Sequence, residues 1–138
     1  MKVNYTMKEY KNYEEQEIVD LYNSVGWSNY TKNTRMLRSA YSNSLSIYGA
    51  YAKERLVGII RVVGDGYSVV FIQDILVLPE FQRRGIGTAL LRRILDEYKD
   101  VYQKHLLTDH TEKTIEFYKS MGFKMDTDID CRAFTKVY

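Results

Sequence analysis

This sequence has one cysteine and one proline, and neither positive nor negative charge is in large excess. With Cys131 as its single cysteine, the chain can form neither an intramolecular disulfide nor a cysteine-rich zinc site, and we expect it in the reducing cytoplasm. Twenty basic against 18 acidic side chains leave a net charge of +2, which is too small to predict binding to nucleic acid or to an anionic membrane. Two scattered histidines offer no ligand cluster, so we expect no bound metal.

Long apolar runs, repeats and linkers are absent as well. The first residues lack the apolar segment of a signal peptide, and no stretch approaches the length of a membrane span. No tract rich in proline, glycine and serine interrupts the chain, so we predict a single domain over residues 1–138. A chain of this length can bury one proper hydrophobic core.

Hydrophobic periodicity predicts an α+β protein whose sheet is mixed but mostly antiparallel, in the order β-α-α-β-β-β-α-β-α-β-β. An Asp-Gly pair between the third and fourth strands is a strong hairpin signal. We expect Thr31 to cap the second helix and Cys131 to be buried in the last strand. The predicted strands cover residues 3–7, 45–53, 55–63, 68–77, 104–108, 123–126 and 131–137. The predicted helices cover residues 13–26, 32–44, 86–98 and 112–121.

The polar loop from Gln82 to Thr88 is the segment that indicates chemistry. It opens an amphipathic helix, and the first turn of a helix attracts anions through its free N–H groups and a partial charge of about +0.5. Gly85 and Gly87 remove side chains that would keep an anion away from those groups. Arg83 and Arg84 add positive charge, so the loop is predicted to bind phosphate or pyrophosphate.

Two common phosphate-binding patterns do not fit this loop. A P-loop needs a lysine followed by serine or threonine after its second glycine, but Thr88-Ala89 follow here. A Rossmann fingerprint needs a third small residue where Leu90 stands, and it lies in parallel units rather than after antiparallel hairpins.

The pattern Gln82-x-x-Gly85-x-Gly87 resembles the signature of the GNAT superfamily of acetyl-CoA-dependent N-acetyltransferases. A second motif, in which Phe117-Tyr118 is followed by Gly122-Phe123, is similar to the closing motif of that family. The order of predicted elements matches the GNAT fold along nearly the whole chain. The resemblance implies a single-domain GNAT-like fold with a splay between the fourth and fifth strands, where acetyl-CoA would bind.

The resemblance also implies which residues would hold acetyl-CoA. The backbone of Ile75, Leu76 and Val77 would pair with the pantetheine arm, and the Val77 N–H would stabilise the thioester oxyanion. Thr111 stands where many relatives have an asparagine that contacts this arm, and it can still donate one hydrogen bond. The pyrophosphate would be held by the amides of Gln82, Arg83, Arg84, Gly85, Ile86, Gly87 and Thr88.

Candidate catalytic residues follow from the same resemblance. Tyr118 matches the tyrosine that commonly protonates the departing CoA thiolate; the alternative is a core aromatic on its helix. An acceptor amine has a pKa of about 10.4 and must lose a proton before it attacks, so a base should face the gap. Asp74 is the leading candidate, with His105 and His110 behind it. The alternative for Asp74 is a structural acid bonded to the backbone or to Arg61.

The acceptor pocket is expected on the side of the first two helices. Trp27 and Tyr30, in the connection between those helices, are candidate walls together with Asp74, although Trp27 also fits a role in packing the helices. We predict direct acetyl transfer from acetyl-CoA to a primary amine of a small molecule, by a monomer or homodimer. A protein acetyltransferase acting on lysines or N-termini, and an acyl-CoA sensor without turnover, remain alternatives.

Overall fold

The computed structural model describes residues 4–137 of the chain, so that Val3, where the first predicted strand begins, lies outside it. The described chain forms two compact units, which divide between Leu106 and Leu107. The first unit contains the strands β1 Thr6–Glu9, β2 Ser46–Ala52, β3 Arg55–Gly64, β4 Val69–Val77 and β5 Gln103–Leu106. Its helices are α1 Glu15–Ser24, α2 Ser28–Thr31, α3 Thr34–Ser42 and α4 Ile86–Glu97. The second unit contains α5 Glu112–Ser120 and a 3-10 turn at Asp126–Ile129.

The five strands form one sheet in the order β1-β2-β3-β4-β5, which confirms the predicted α+β class and mixed sheet. The first three pairings are antiparallel, and β4 pairs with β5 in parallel. That parallel ladder runs only from Val69–Gln103 to Ile72–Leu106. Beyond Ile72, β4 continues to Val77 paired with β3, and no other strand among residues 4–137 pairs with it there. The predicted splay between the fourth and fifth strands therefore begins after Ile72.

Helix α4 packs closely on one face of the sheet because β3 has a glycine beneath it. A Cβ at Gly58 would lie 3.2 Å from Ile86 Cγ2 and 3.4 Å from Leu90 Cδ1, so any larger residue would push the helix outward. Four residues of the apolar stripe predicted for this helix are buried, while Leu95 and Tyr98, which were predicted with them, are half-buried; the buried four are Ile86, Leu90, Leu91 and Ile94. The opposite face of the sheet carries Arg61 and Asp74 and is covered by α1 and α3.

The second predicted helix is shorter than expected and has a different cap. Helix α3 begins at Thr34, and Asn33 caps it by accepting a hydrogen bond from the Met36 N–H at 3.0 Å. Thr31, the predicted cap, instead ends α2 and donates its hydroxyl to Asn23 Oδ1 at 2.7 Å. Asparagine is at least as good a cap as threonine, which explains the later start.

The two strands predicted at the end of the chain, over residues 123–126 and 131–137, are not formed, and this prediction was wrong. Asp126 explains why: its carbonyl accepts the Cys131 N–H at 2.9 Å and its carboxylate accepts the Ala133 N–H at 3.1 Å. These local hydrogen bonds compete with a strand ladder. Residues 131–137 are exposed, and so the expected burial of Cys131 was wrong too.

Replacing Leu90, which is fully buried, by alanine should lower the free energy of unfolding by about 2–5 kcal/mol, because its neighbours cannot fill the cavity. Arg92 lies on the exposed side of the same helix, so Arg92→Ala should change that free energy by less than about 0.5 kcal/mol. Urea denaturation followed by circular dichroism measures both variants. Equal effects of the two substitutions would contradict the packing assigned to α4.

Candidate active site

Beyond Ile72, the backbone of β4 presents an open edge, which we define as Gln73–Val77. The Leu78 N–H donates to the Val57 carbonyl at 2.8 Å and therefore points toward β3. Because successive residues of a strand direct their N–H and C=O groups to opposite sides, those of Ile75 and Val77 point away from β3. Within the part of the chain that the structure describes, no strand pairs with this edge. The N–H groups of Ile75 and Val77 and the Ile75 carbonyl are therefore available to an extended ligand, whereas the Val77 carbonyl accepts Gln82 Nε2.

Gln82 ties the loop that follows to the end of this edge. Its Nε2 donates to the Val77 carbonyl at 2.9 Å, and its backbone N–H donates to the Pro79 carbonyl at 3.3 Å. Both groups are thus used inside the protein. The loop amides available to an anion therefore begin at Arg83 rather than at Gln82.

The loop itself has the backbone geometry of an anion site. Arg83 and Gly85 adopt left-handed conformations, with φ of 62° and 85°, and α4 starts directly afterwards. The first hydrogen bond of the helix runs from the Ala89 N–H to the Gly85 carbonyl at 3.0 Å, so the preceding amides have no partner within the helix. A Cβ at Gly85 or Gly87 would meet no atom within 4 Å. Free amides and empty space together suit a phosphate group.

The side chains of this loop divide into two groups. The guanidinium groups of Arg83 and Arg84 are exposed, and that of Arg84 lies 6.0 Å from the Phe81 ring centre. They can place positive charge beside a bound anion. Ile86 is 1% exposed, so only its backbone amide can face the site. Thr88 is half-buried in the first turn of α4.

Asp74 lies on the α1 and α3 face of the sheet, in a buried ion pair. It is 1% exposed, and its Oδ2 accepts hydrogen bonds from Arg61 Nε and from the Tyr22 hydroxyl, each at 2.7 Å. Burial lowers the pKa of Arg61, but the charge and hydrogen bond of Asp74 outweigh it, so this pKa is raised overall. The partnership with Arg61 that the sequence offered as an alternative is therefore present. Asp74 Oδ1 has no hydrogen-bond partner among residues 4–137.

Tyr22 and Tyr41 continue this cluster into the helices. Their hydroxyls lie 2.8 Å apart, and burial raises the pKa of each well above its usual range. Sequence reasoning missed both residues, because they appear only as part of apolar helical faces. Arg61 was open to prediction, since the hairpin places it opposite Asp74 on the neighbouring strand.

Trp27 and Tyr30 lie beside this cluster. Their rings stack at 6.1 Å with an angle of 30° between them, and the Tyr22 ring meets Tyr30 edge-on at 5.3 Å. Gln73 Nε2 donates to the Tyr30 hydroxyl at 3.2 Å, which locates this hydroxyl at the start of the open edge. Burial, and then the charge of Asp74, raise the pKa of Tyr30. The predicted acceptor residues Trp27, Tyr30 and Asp74 are thus brought together.

The second unit holds the remaining candidates. Tyr118 is 8% exposed, and its ring meets Phe117 and Phe123 edge-on at 5.0 and 5.9 Å. Burial, together with the charge of Asp109, raises the pKa of Tyr118 to about 12, so it is a neutral hydrogen-bond donor at physiological pH. Thr111 caps α5 by accepting the Thr114 N–H at 3.3 Å, a role that competes with the cofactor contact expected of it.

His105 and His110 are both exposed. Over residues 4–137, no three side chains of histidine, cysteine, aspartate or glutamate come together as metal ligands. Nor does any helix in that range combine the length and the apolar character that a bilayer crossing requires.

Comparison with known proteins agrees with the geometry. The family model described as acetyltransferase (GNAT) domain matches residues 43–125, more than half of the chain. A protein of Prochlorococcus marinus, described as an uncharacterized N-acetyltransferase ycf52-like, is 30% identical over 114 residues, covering 80% of this chain and 62% of that protein. A Glycine max protein described as histone acetyltransferase TAP1 is 31% identical over 101 residues. The match covers 70% of this chain and 42% of the length of that protein. This chain thus spans less than two thirds of either relative.

Solved structures show the same similarity over the full length. The GNAT family acetyltransferase SP0256 from Streptococcus pneumoniae superposes with a TM-score of 0.89 at 41% identity, covering 98% of each chain. A probable acetyltransferase from Staphylococcus aureus, SA2161, superposes with a TM-score of 0.78 at 27% identity, covering 96% of this chain and all of that one.

Gly87 offers the cleanest test of the anion site. Gly85 is unsuitable because its positive φ would strain any other residue, whereas a side chain at Gly87 enters empty space without such strain. We predict that Gly87→Val weakens CoA binding by roughly tenfold or more, or about 1.4 kcal/mol, because its methyl groups occupy the space of the phosphate. Isothermal titration calorimetry with CoA measures the change.

Arg92→Val provides the matched control, since it adds the same residue on the exposed side of the same helix. It should leave CoA affinity unchanged, and thermal unfolding should show both variants folded. Wild-type affinity in Gly87→Val would show that phosphate binds elsewhere.

Proposed function

The chain belongs to the GNAT acetyltransferase family, and from this we propose that it transfers the acetyl group of acetyl-CoA directly to a primary amine of a small molecule. The observation that carries the proposal is the open edge of β4, followed at once by a loop of free amides. An extended thioester can pair with the first while its pyrophosphate meets the second. Both parts lie in one continuous segment, Gln73–Thr88.

The donor is proposed to bind along that segment. The pantetheine arm pairs with the backbone of Ile75, whose polar groups point away from β3, and the Val77 N–H points to the same side. The amides from Arg83 to Thr88 hold the pyrophosphate, with the guanidinium groups of Arg83 and Arg84 beside it. The Val77 N–H donates to the thioester oxygen as it gains negative charge, a type of contact worth about 2.7–4 kcal/mol of barrier.

Deprotonation of the amine is the step that needs a base. A free alkylamine is protonated at neutral pH, at a cost of roughly 4–5 kcal/mol for removing the proton in solution. Asp74 is the proposed final proton acceptor. Asp74 is 1% exposed and its Oδ2 is held by Arg61 and Tyr22, so the proton is proposed to reach it through an intervening group or water.

Tyr118 is proposed to assist departure of the CoA sulfur, as the family motif implies. The hydroxyl of a tyrosine with a pKa of about 12 is protonated at neutral pH. It is a weaker acid than a free thiol, whose pKa is about 8.5, so its first contribution is a hydrogen bond to the sulfur as the bond to carbon breaks. Tyr118 then gives its proton to the thiolate and regains one from solvent.

The preference for a small amine is supported by the stacked rings of Trp27 and Tyr30. Trp27 is 36% exposed, so one part of the indole remains available as a wall for an apolar or aromatic group or a cation. Protein acetylation is the second candidate, favoured by the 31% identity to the plant protein described as a histone acetyltransferase. We further propose a cytoplasmic monomer or homodimer, since the exposed free thiol of Cys131 suits a reducing compartment.

A panel of acceptors tests this function. We expect thiol release from acetyl-CoA with small primary amines, fastest with those that carry an aromatic ring, and little release with lysine peptides or protein N-termini. A thiol-reactive dye follows the reaction, and mass spectrometry identifies the acetylated product. Faster turnover with peptides would favour the protein acetyltransferase. CoA binding without transfer to any acceptor would identify a sensor instead.

Tyr118→Phe tests the role of the tyrosine. It should lower kcat on the order of a hundredfold while the KM for acetyl-CoA changes little, since only the hydroxyl at the leaving sulfur is lost. Tyr102→Phe removes a hydroxyl from a side chain that is 82% exposed and should behave as wild type. Unchanged kcat in Tyr118→Phe would assign protonation of the thiolate to water or to another residue.

A further inference from the structure

Trp27 and Tyr30, which we call the acceptor wall, lie on a very short helical segment. Tyr30 belongs to α2, a helix of four residues, and Trp27 directly precedes that helix. A single helical turn gains little stability from its own hydrogen bonds, so tertiary contacts must hold it in place. The two rings of the acceptor wall therefore take their orientation from the residues that they contact.

Tyr22, in the last turn of α1, contacts both residues of the acceptor wall. Its ring meets Trp27 edge-on at 5.9 Å and Tyr30 edge-on at 5.3 Å. Its backbone carbonyl accepts the Trp27 N–H at 3.0 Å. Because Tyr22 is 0% exposed and closely packed, a rotation of its ring would displace both rings of the acceptor wall.

The hydroxyl of Tyr22 fixes that ring to the sheet. It donates to Asp74 Oδ2 at 2.7 Å and lies 2.8 Å from the Tyr41 hydroxyl. A hydrogen bond to a buried, charged group is stronger than one between neutral groups. The acceptor wall is thus connected to β4 through Tyr22, which is itself too deeply buried to touch an acceptor.

A second connection runs from the neighbouring residue of β4. Gln73 Nε2 donates to the Tyr30 hydroxyl at 3.2 Å. Successive side chains of a strand normally point to opposite faces of the sheet. Gln73, however, is an extra residue in the pairing of β4 with β3, which skips from Ile72 to Asp74. Such a bulge redirects side chains, so that Gln73 and Asp74 can both reach the helices.

We propose that Tyr22 is a positioning residue for the acceptor: anchored at Asp74, it holds the acceptor wall in the orientation that selects an amine with a flat aromatic group. Gln73 is a second positioning residue and acts through Tyr30. This role rests on the proposed function, in which the acceptor wall contacts the amine. Aromatic rings interact best at defined angles, whereas an aliphatic chain makes contacts in many orientations. A wall held in one orientation therefore favours aromatic over aliphatic amines.

Loss of the Tyr22 hydroxyl has two effects that can be measured separately. The Asp74 carboxylate loses one hydrogen bond, which would slow transfer to every amine by the same factor. The acceptor wall loses its anchor, which changes the preference between amines. The ratio of kcat/KM for an aromatic amine to that for an aliphatic amine cancels the first effect and reports the second.

Tyr22→Phe is the main test, because it removes the anchor and keeps the ring. Wild type should prefer phenylethylamine to butylamine by about tenfold in kcat/KM, since one well-oriented aromatic contact contributes up to about that factor. In Tyr22→Phe the preference should fall to about threefold or less, while the KM for acetyl-CoA stays unchanged. Gln73→Leu, at an exposed position, should lower the preference by a smaller factor, and it decides the question if Tyr22→Phe does not fold.

Tyr41→Phe is the matched control. It removes the same hydrogen bond between two buried hydroxyls, but it leaves Tyr22 bonded to Asp74. Its preference for the aromatic amine should stay at the wild-type value, and thermal unfolding should show that all variants are folded. An equal fall in Tyr41→Phe and Tyr22→Phe would assign the effect to general loss of stability and refute the positioning role.

Fluorescence tests the anchor without any turnover, because Trp27 is the single tryptophan of the chain. Quenching of its emission by acrylamide should increase in Tyr22→Phe, since a loosely held indole meets the quencher more often. Quenching in Tyr41→Phe should equal that of wild type.

Together the two readouts decide the positioning role. A lower preference and increased quenching in Tyr22→Phe support it, and either change without the other overturns it, as does wild-type behaviour in both. Failure of the proposed function has a different signature, since wild type would then transfer acetyl to no small amine. In that case quenching alone decides whether Tyr22 anchors the acceptor wall.

Discussion

A strand that loses one neighbour partway along a sheet must leave its polar backbone groups to something else. In this protein β4 pairs with β5 only as far as Ile72 and runs on to Val77 beside β3. Buried residues of β3 and α4 pack against this extension, whose outward N–H groups and Ile75 carbonyl have no strand partner among residues 4–137. The loop at Arg83 and the first turn of α4 follow this edge in the chain, and the Tyr30 hydroxyl is bonded at its start by Gln73.

The Arg61–Asp74 pair connects the edge to the helices above it. A buried carboxylate with one unpaired oxygen costs on the order of 1–3 kcal/mol or more, and the surrounding fold must supply that stability. Here Arg61, Tyr22 and Tyr41 form a buried, hydrogen-bonded cluster around it. Removing one partner of such a pair is far more damaging than replacing the whole cluster by apolar residues. The arrangement therefore costs stability but holds the Asp74 carboxylate in one orientation beside Tyr22.

Prediction from sequence succeeded where the signal was local and failed where it depended on distant partners. The hairpin at Asp65-Gly66 formed as expected, because the Asp65 carboxylate accepts the Tyr67 and Ser68 N–H groups, each at 2.8 Å. The glycine loop that opens α4 also formed as expected, since its glycines and the helix that follows are adjacent in the chain. The C-terminal strands had strand-like composition but no partner. The bond from Tyr22 to Asp74 spans 52 positions, and no periodicity reports such a contact.

The side chain of Gln82 has a consequence for the energetics of transfer. Its hydrogen bond to the Val77 carbonyl joins the phosphate loop to the residue whose N–H would face the thioester, so the two ends of the donor meet one connected piece of protein. Binding energy gained at the nucleotide end can then hold the acetyl end in its reactive position. The adenosine and pyrophosphate groups, which never react, would in this way contribute to the rate as well as to affinity. A shorter acetyl thioester that lacks the adenosine and pyrophosphate groups would lose that contribution.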